Sequence, residues 1–145
     1  DVLDPFALYL KQNDPDLYSR WYISSAIRGY VPTGSSLKSQ HLKGQAVDSM
    51  ITGMSSVQET MKANLKLLNL ILKWYKQNPG IHYDQILFET RGPASSWIHW
   101  SYVRNAGKMQ LLRLINDSTY TPAKMNGFGR TTALTDDEAV LKISI

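Results

Sequence analysis

The residues best suited to chemistry in this sequence lie in one short stretch, SQHLKGQAVD at positions 39–48. A loop delivers His41, and Gly44 allows a tight turn in a backbone conformation that other residues avoid. The strand that follows presents Ala46 and Asp48 on one face, because strand side chains alternate with a period of two. A neutral imidazole and a carboxylate suit a zinc ion, which in catalytic sites takes three protein ligands and keeps a fourth position for water. The stretch therefore predicts two ligands of a zinc site.

The chain has no cysteine, so the third ligand must be a nitrogen or oxygen donor. Its three histidines are the only side chains of the imidazole type that could supply the nitrogen. The absence of cysteine also excludes disulfides, thiolate zinc sites and cysteine nucleophiles. In the predicted strand WIHWSYV at 97–103, the side chains of Trp97, His99 and Ser101 share one face. His99 is the candidate third ligand, although a histidine between apolar neighbours in a strand is often a hydrogen-bonded core residue. The strand pattern alone leaves both roles open.

Taken together, these segments resemble the superfamily of zinc D-Ala-D-Ala carboxypeptidases and peptidoglycan endopeptidases, which also contains the hedgehog signalling domain. The pattern S-x-H-x-x-G-x-A-x-D of that superfamily is filled at every fixed position within 39–48, and WIH at 97–99 fills its W-x-H strand. ISSAIRGY at 23–30 resembles the I-S-S-G-Y-R element, and YDQILFE at 83–89 resembles a strand of the phage-type branch. The resemblance extends over roughly residues 21–103.

This resemblance implies roles for individual residues. His41, Asp48 and His99 would hold zinc. Arg28 would contact the substrate carboxylate or a peptide carbonyl during catalysis, where the fixed fork of guanidinium donors is useful. Its alternative role is a structural ion pair at the surface. Ser39 and Trp97 would lie beside the substrate.

The residue that would act as general base does not occupy the position that it has in many members of this superfamily. Many carboxypeptidase members have an Asp or Glu three residues before the last histidine, where this chain has Ser96. Glu89 is the candidate instead, since the hedgehog-like arrangement also uses a glutamate further upstream. It would take a proton from the attacking water and pass it to the leaving amine. The alternative for Glu89 is a strand-end side chain exposed to water, and Asp84 is predicted to brace the strands or a ligand histidine.

The elements that must position these residues are predicted from local patterns. Asp4-Pro5 and Asp14-Pro15 each indicate the start of a short helix. Ser56 and Glu59 form a capping box that opens a long helix through residue 77, which ends before a Pro-Gly pair. Strands are predicted at 21–27, 45–51, 83–89 and 97–103, and a last helix in MQLLRLI at 109–115. The sequence thus predicts an α+β domain of hedgehog or D-Ala-D-Ala peptidase type, with a small, mostly antiparallel sheet and the long helix packed on it.

The length and net charge of the chain limit the number of domains and the kinds of partner that the sequence predicts. A chain of 145 residues suits one compact domain, predicted here at 1–116, with an extended tail or docking arm at 117–145. A net charge of +4 favours anionic surfaces in general, but the basic residues are spread along the sequence, which does not favour a specific nucleic-acid partner. No apolar run is long enough to span a membrane, and the first residues do not read as a secretory signal.

The function implied by the resemblance is zinc-dependent hydrolysis of peptide bonds in peptidoglycan stem peptides. The phage-like segments suggest a lysin or a tail-associated wall hydrolase, which would act in a virion or in the host periplasm or cell wall. The rival hypothesis is a structural component of a phage tail or baseplate that kept the fold, lost the activity and docks to other phage proteins through 117–145. Carboxypeptidase and endopeptidase activity both remain open.

Overall fold

The computed structural model describes residues 2–26, 29–30, 39–91, 95–104, 107–116 and 130–133. Two short helices come first, α1 (Leu3–Asn13) and α2 (Pro15–Arg20), at the two predicted Asp-Pro pairs. Asp14 caps α2 as expected, since its carboxylate accepts a hydrogen bond of 3.0 Å from the backbone N–H of Leu17. Helix α1 begins two residues earlier than the Asp4-Pro5 pair predicts, so Asp4 lies within its first turn and is not its N-cap.

A mixed sheet follows, to which the described residues contribute six strands in the order β1-β2-β4-β3-β5-β6. Their bounds are β1 Trp21–Ser25, β2 Ala46–Ile51, β3 Gln85–Arg91, β4 Ser95–Ser101, β5 Gln110–Asn116 and β6 Arg130–Ala133. The first four strands in this order pair antiparallel, β3 and β5 pair parallel, and β5 and β6 pair antiparallel. The prediction of an α+β domain with a mostly antiparallel sheet is confirmed, and the predicted ends of the first four strands differ from these by up to two residues.

The predicted last helix at 109–115 is wrong, because this segment forms strand β5. A short apolar run fits a buried helix and a buried strand equally well, so periodicity alone does not decide between them. Tertiary pairing decides between helix and strand here, since β5 pairs with β3 over its whole length. One part of the predicted arm, residues 130–133, adds β6 to the edge of the sheet. The rest of that arm, 117–129 and 134–145, lies outside the described residues.

The long helix α3 (Val57–Gln77) covers one face of the sheet. It begins as predicted, with the Ser56 hydroxyl accepting a hydrogen bond from the backbone N–H of Glu59. The side chains that α3 buries together with α1 and the sheet form the apolar core, whose fully enclosed members include Phe6, Leu10, Leu67, Leu68, Ile71, Ile86, Phe88 and Ile98. Trp100 belongs to this core, and its indole N–H donates to the hydroxyl of Tyr75 over 2.7 Å.

Strand alternation therefore divides the sheet into two chemically different faces. In β4, Ile98 and Trp100 are buried towards α3, while Trp97 and His99 are half-buried and point to the opposite face. In β3, Glu89 likewise alternates away from the core. The face that α3 does not cover is the one available for a site. Among the described residues, no helix is long and apolar enough to cross a membrane.

Candidate metal centre

His41 reaches the uncovered face of the sheet from a single 3-10 turn, Gln40–Lys43. The turn ends at Gly44, whose φ of 65° lies in the left-handed region that glycine adopts without strain, as its position in the sequence predicts. The side chain of His41 is almost fully buried, and its Nδ1 atom lies 2.9 Å from the carbonyl oxygen of Ala26. A carbonyl oxygen can only accept, so Nδ1 carries the proton and Nε2 faces the site.

Asp48 and His99 come from two neighbouring strands of the sheet. They are directly opposed partners in the antiparallel pair of β2 and β4, so both side chains point to the same face. The Oδ1 atom of Asp48 lies 3.1 Å from Nδ1 of His99. Ala46 also alternates onto this face and presents only a methyl group beside the carboxylate.

The three ligand atoms form a nearly equilateral triangle. Nε2 of His41 lies 3.2 Å from Oδ1 of Asp48 and 3.2 Å from Nδ1 of His99, and the third side is the 3.1 Å contact. In a tetrahedral site with metal–ligand bonds of about 2.0–2.1 Å, neighbouring ligand atoms lie about 3.3 Å apart. The three side chains therefore fit a metal ion of the size of zinc, and together they form a group that could hold one.

The charge of this group also favours a bound cation. Asp48 is 8% exposed, and burial acts to raise the pKa of its carboxyl, but hydrogen bonding and electrostatic attraction at His41 and His99 together lower the pKa to about 2. The carboxylate thus stays ionised in a nearly enclosed position, which requires a positive partner. The close contacts with the ring nitrogens of His41 and His99 meet part of that need. A divalent ion fills it better, since all three atoms can then offer lone pairs at once.

The predicted general base lies on the same face as the ligand triangle. Leu87 of β3 is directly opposed to His99, and Glu89 is directly opposed to Trp97, two residues along β4 from His99. Diagonal neighbours of this kind are about 7–8 Å apart, within reach of a long side chain. Glu89 and Trp97 are both half-buried. Register therefore brings Glu89 and Trp97 to the edge of the triangle.

The other predicted site residues have different outcomes. Ser39 is half-buried just before the 3-10 turn, and its carbonyl accepts a hydrogen bond of 3.1 Å from the backbone N–H of Leu42. Arg28 lies outside the described residues.

Ser96, the position where many carboxypeptidases carry their acid, belongs to the other face of the sheet. It is 3% exposed, and the side-chain amide of Asn64 on α3 donates to its hydroxyl over 2.8 Å and to its carbonyl over 2.9 Å. In a regular strand, side chains three residues apart point to opposite faces, so a side chain at 96 is directed away from His99. The lack of a carboxylate at position 96 is therefore not evidence against a general base at another position.

Two hydrogen bonds around His41 were not identified from the sequence. The Ala26 carbonyl is a main-chain group, so no side-chain pattern signals it. Gln40 occupies a variable position of the motif, yet its amide donates to the buried carboxylate of Asp84. Asp84 was predicted to act as a brace, and it does connect β3 to the turn that carries His41.

The chain matches no protein-family model, no curated protein and no solved structure.

Proposed function

We propose that this chain is a zinc-dependent peptidase that cleaves peptide bonds in the stem peptides of bacterial peptidoglycan. The observation that carries the proposal is the triangle of His41 Nε2, Asp48 Oδ1 and His99 Nδ1, with sides of 3.1–3.2 Å. A set of two histidines and one carboxylate is typical of catalytic zinc sites, which keep a position open for chemistry. The hedgehog-like and D-Ala-D-Ala peptidase-like topology is part of the same proposal.

The roles of the protein groups follow from their positions. A bound zinc ion supplies a Lewis acid that polarises the scissile carbonyl and helps to deprotonate water near neutral pH. Asp48 contributes the negative charge of the ligand set, and His41 and His99 contribute neutral nitrogen. Glu89, at the edge of the triangle, takes a proton from the attacking water and returns it to the leaving amine.

The substrate class rests on the sequence resemblance, together with what lies beside the triangle. Trp97 is opposed to Glu89 on the same face, where its ring offers a flat apolar surface to the substrate. Ser39 would contribute a polar contact from the start of the 3-10 turn, and Arg28 would bind a substrate carboxylate or carbonyl. We also propose that the protein acts on the cell wall as a phage lysin or tail-associated hydrolase. Only the resemblance of its strands to phage sequences supports this part.

A catalytically degenerate structural protein is the rival function, and two observations weaken it. All three ligand side chains converge at bonding distance from one point. The serine at position 96, where many carboxypeptidases have an acid, is hydrogen-bonded to Asn64 in the core, on the opposite face of the strand from His99. An active centre therefore accounts for the arrangement better than a remnant does.

The test combines metal content with turnover. Wild-type protein, Glu89→Gln and the matched control Glu59→Gln would be purified without chelator, analysed for zinc and incubated with peptidoglycan fragments. Mass spectrometry of the fragments would reveal new amino and carboxyl ends. Glu59 is an exposed glutamate in the first turn of α3, where glutamine also satisfies a capping box, so its variant keeps both fold and site.

The proposal expects about one zinc per chain in all three proteins. It expects cleavage by the wild type and by Glu59→Gln, with a loss of roughly 10²–10⁴-fold in Glu89→Gln. Zinc without cleavage in the wild type would overturn the enzymatic function in favour of a structural ion. Cleavage that survives in Glu89→Gln would overturn the role of the base alone.

A further inference from the structure

Asp84 is a buried carboxylate that lies just before β3, outside the ligand triangle. It is 3% exposed, and its Oδ2 atom accepts a hydrogen bond of 2.7 Å from the side-chain amide of Gln40. Its Oδ1 atom accepts a hydrogen bond of 3.2 Å from the backbone N–H of Lys108. Burying a carboxylate costs free energy unless it is hydrogen-bonded. The two hydrogen bonds therefore stabilise the folded state, and their loss would be costly. The proposed reaction uses none of these three residues.

Gln40 connects this carboxylate to the metal centre, because it directly precedes His41 in the 3-10 turn. Successive side chains of a 3-10 helix point about 120° apart, so Gln40 can reach towards β3 while His41 reaches towards Asp48. The carbonyl of Gln40 also accepts a hydrogen bond of 2.9 Å from the backbone N–H of Gln45, which closes the turn. A rotation of the turn that moved the His41 ring would therefore strain or break the contact between Gln40 and Asp84.

Asp84 is itself fixed relative to the strand that carries His99. Its backbone N–H donates to the carbonyl of Ser101, the last residue of β4, over 2.8 Å. The neighbouring Tyr83 is packed so closely that a Cβ atom added to Gly107 would come within 2.4 Å of its carbonyl oxygen. Asp84 is thus bonded to β4 through its backbone and to the 3-10 turn through its side chain. A fixed β4 therefore also fixes the turn that carries His41.

We propose that Asp84 is a positioning residue that acts through Gln40 to set the orientation of His41 towards the metal. The inference rests on the proposed zinc centre, but it concerns affinity for the ion rather than catalysis. Asp48 and His99 are held in place by the strand ladder, whereas His41 comes from a short turn that needs a support outside itself. Removal of a supporting contact of this kind lowers metal affinity by roughly 10–100-fold.

The experiment compares Gln40→Leu, Gln40→Lys, Asp84→Asn and the double variant Gln40→Leu/Asp84→Asn with wild type. Lys43→Ala is the matched control, since Lys43 is an exposed residue of the same turn. Zinc affinity would be measured by chelator competition. Urea unfolding of each metal-free protein would be measured separately, so that a loss of affinity can be distinguished from a loss of fold.

The proposal expects Gln40→Leu and Asp84→Asn to bind zinc roughly 10–100-fold more weakly while remaining folded, and Lys43→Ala to bind as wild type. Lysine at position 40 restores a donor to Asp84 and should recover most of the affinity. The double variant should lose little more than Gln40→Leu, because Gln40→Leu already removes the contact that Asp84→Asn weakens. Unchanged zinc affinity in folded Gln40→Leu and Asp84→Asn would overturn the role of Asp84. A wild-type protein that binds no zinc would instead overturn the metal centre on which the proposed function depends.

Discussion

Asp48 and His99 are directly opposed residues on two antiparallel strands, and the Oδ1 atom of one lies 3.1 Å from the Nδ1 atom of the other. This pairing places two candidate ligands side by side through the backbone hydrogen bonds of the sheet. A slip of one residue between β2 and β4 would turn one of the two side chains towards the core. The register of the sheet is therefore the main determinant of the candidate metal centre, and His41 completes it from outside the sheet.

The first prediction concerns which histidine binds the ion. His99→Ala should abolish stoichiometric zinc binding, because two remaining ligands leave an open and weakly held site. His82→Ala should retain about one zinc per chain, since His82 is exposed and lies outside the ligand group. Metal analysis after gel filtration distinguishes the two variants. Full zinc retention in His99→Ala would contradict the assigned ligand set.

The second prediction is an acid dependence that belongs to the metal-free protein. Burial acts to raise the pKa of Asp48, but hydrogen bonding and electrostatic attraction at the two histidines together lower it from 3.8 to about 2. The ionised carboxylate therefore contributes stability that is fully present above pH 3.8 and is lost as the pH falls towards 2. The difference between the two pKa values corresponds to about 2 kcal/mol.

This dependence is measured by urea unfolding of metal-free protein between pH 2 and 6, in the wild type and in Asp48→Asn. The free energy of unfolding of the variant should fall less steeply between about pH 4 and pH 2, because it lacks the titrating carboxyl. Parallel curves for the two proteins would show that Asp48 makes no such contribution.

Much of the site could be predicted from the sequence because its motif is local. His41 and Asp48 are separated by six residues, and one glycine and one strand are enough to direct them to a common point. His99 needed more than its own neighbourhood, since the pattern around it fits a core histidine equally well. Its pairing with Asp48 is a long-range property of the sheet, and the sequence predicted it through the resemblance alone.

The parts that the sequence did not predict depend on groups without a local signature. The support from Ala26 is a backbone carbonyl, and the contact between Gln40 and Asp84 joins residues 44 positions apart. Strand β5 was predicted as a helix because a short apolar run contains no information about which edge it will pair with. Tertiary pairing decides such segments, and local propensity does not.

The third prediction concerns the buried amide that joins α3 to the strands carrying the ligands. The Asn64 side chain accepts a hydrogen bond of 2.7 Å from the backbone N–H of Ile51 and donates to the carbonyl and hydroxyl of Ser96. Asn64→Leu would leave these groups unpaired in the core, which should lower the free energy of unfolding by about 3 kcal/mol. Chemical denaturation of the metal-free protein measures this loss.

The control for this prediction lies one and a half turns further along the same helix. Asn69 is half-buried, and its amide donates to the carbonyl of Leu65 within α3. Asn69→Leu should therefore change the free energy of unfolding by less than about 0.5 kcal/mol. Equal losses at the two positions would indicate an effect of helix composition rather than of the buried hydrogen bonds.

The last prediction asks whether an acid at position 96 can replace Glu89. If the position that carries the acid in many carboxypeptidases were part of this site, Ser96→Asp would restore cleavage in a Glu89→Gln background. The strand instead directs position 96 into the core beside Asn64, so the new carboxylate would be buried without a positive partner. We expect Glu89→Gln/Ser96→Asp to stay inactive and to unfold at a urea concentration clearly below that of Glu89→Gln. Restored cleavage of peptidoglycan fragments would mean that β4 presents position 96 to the metal, and that the register described for β3 and β4 is not the one used in catalysis.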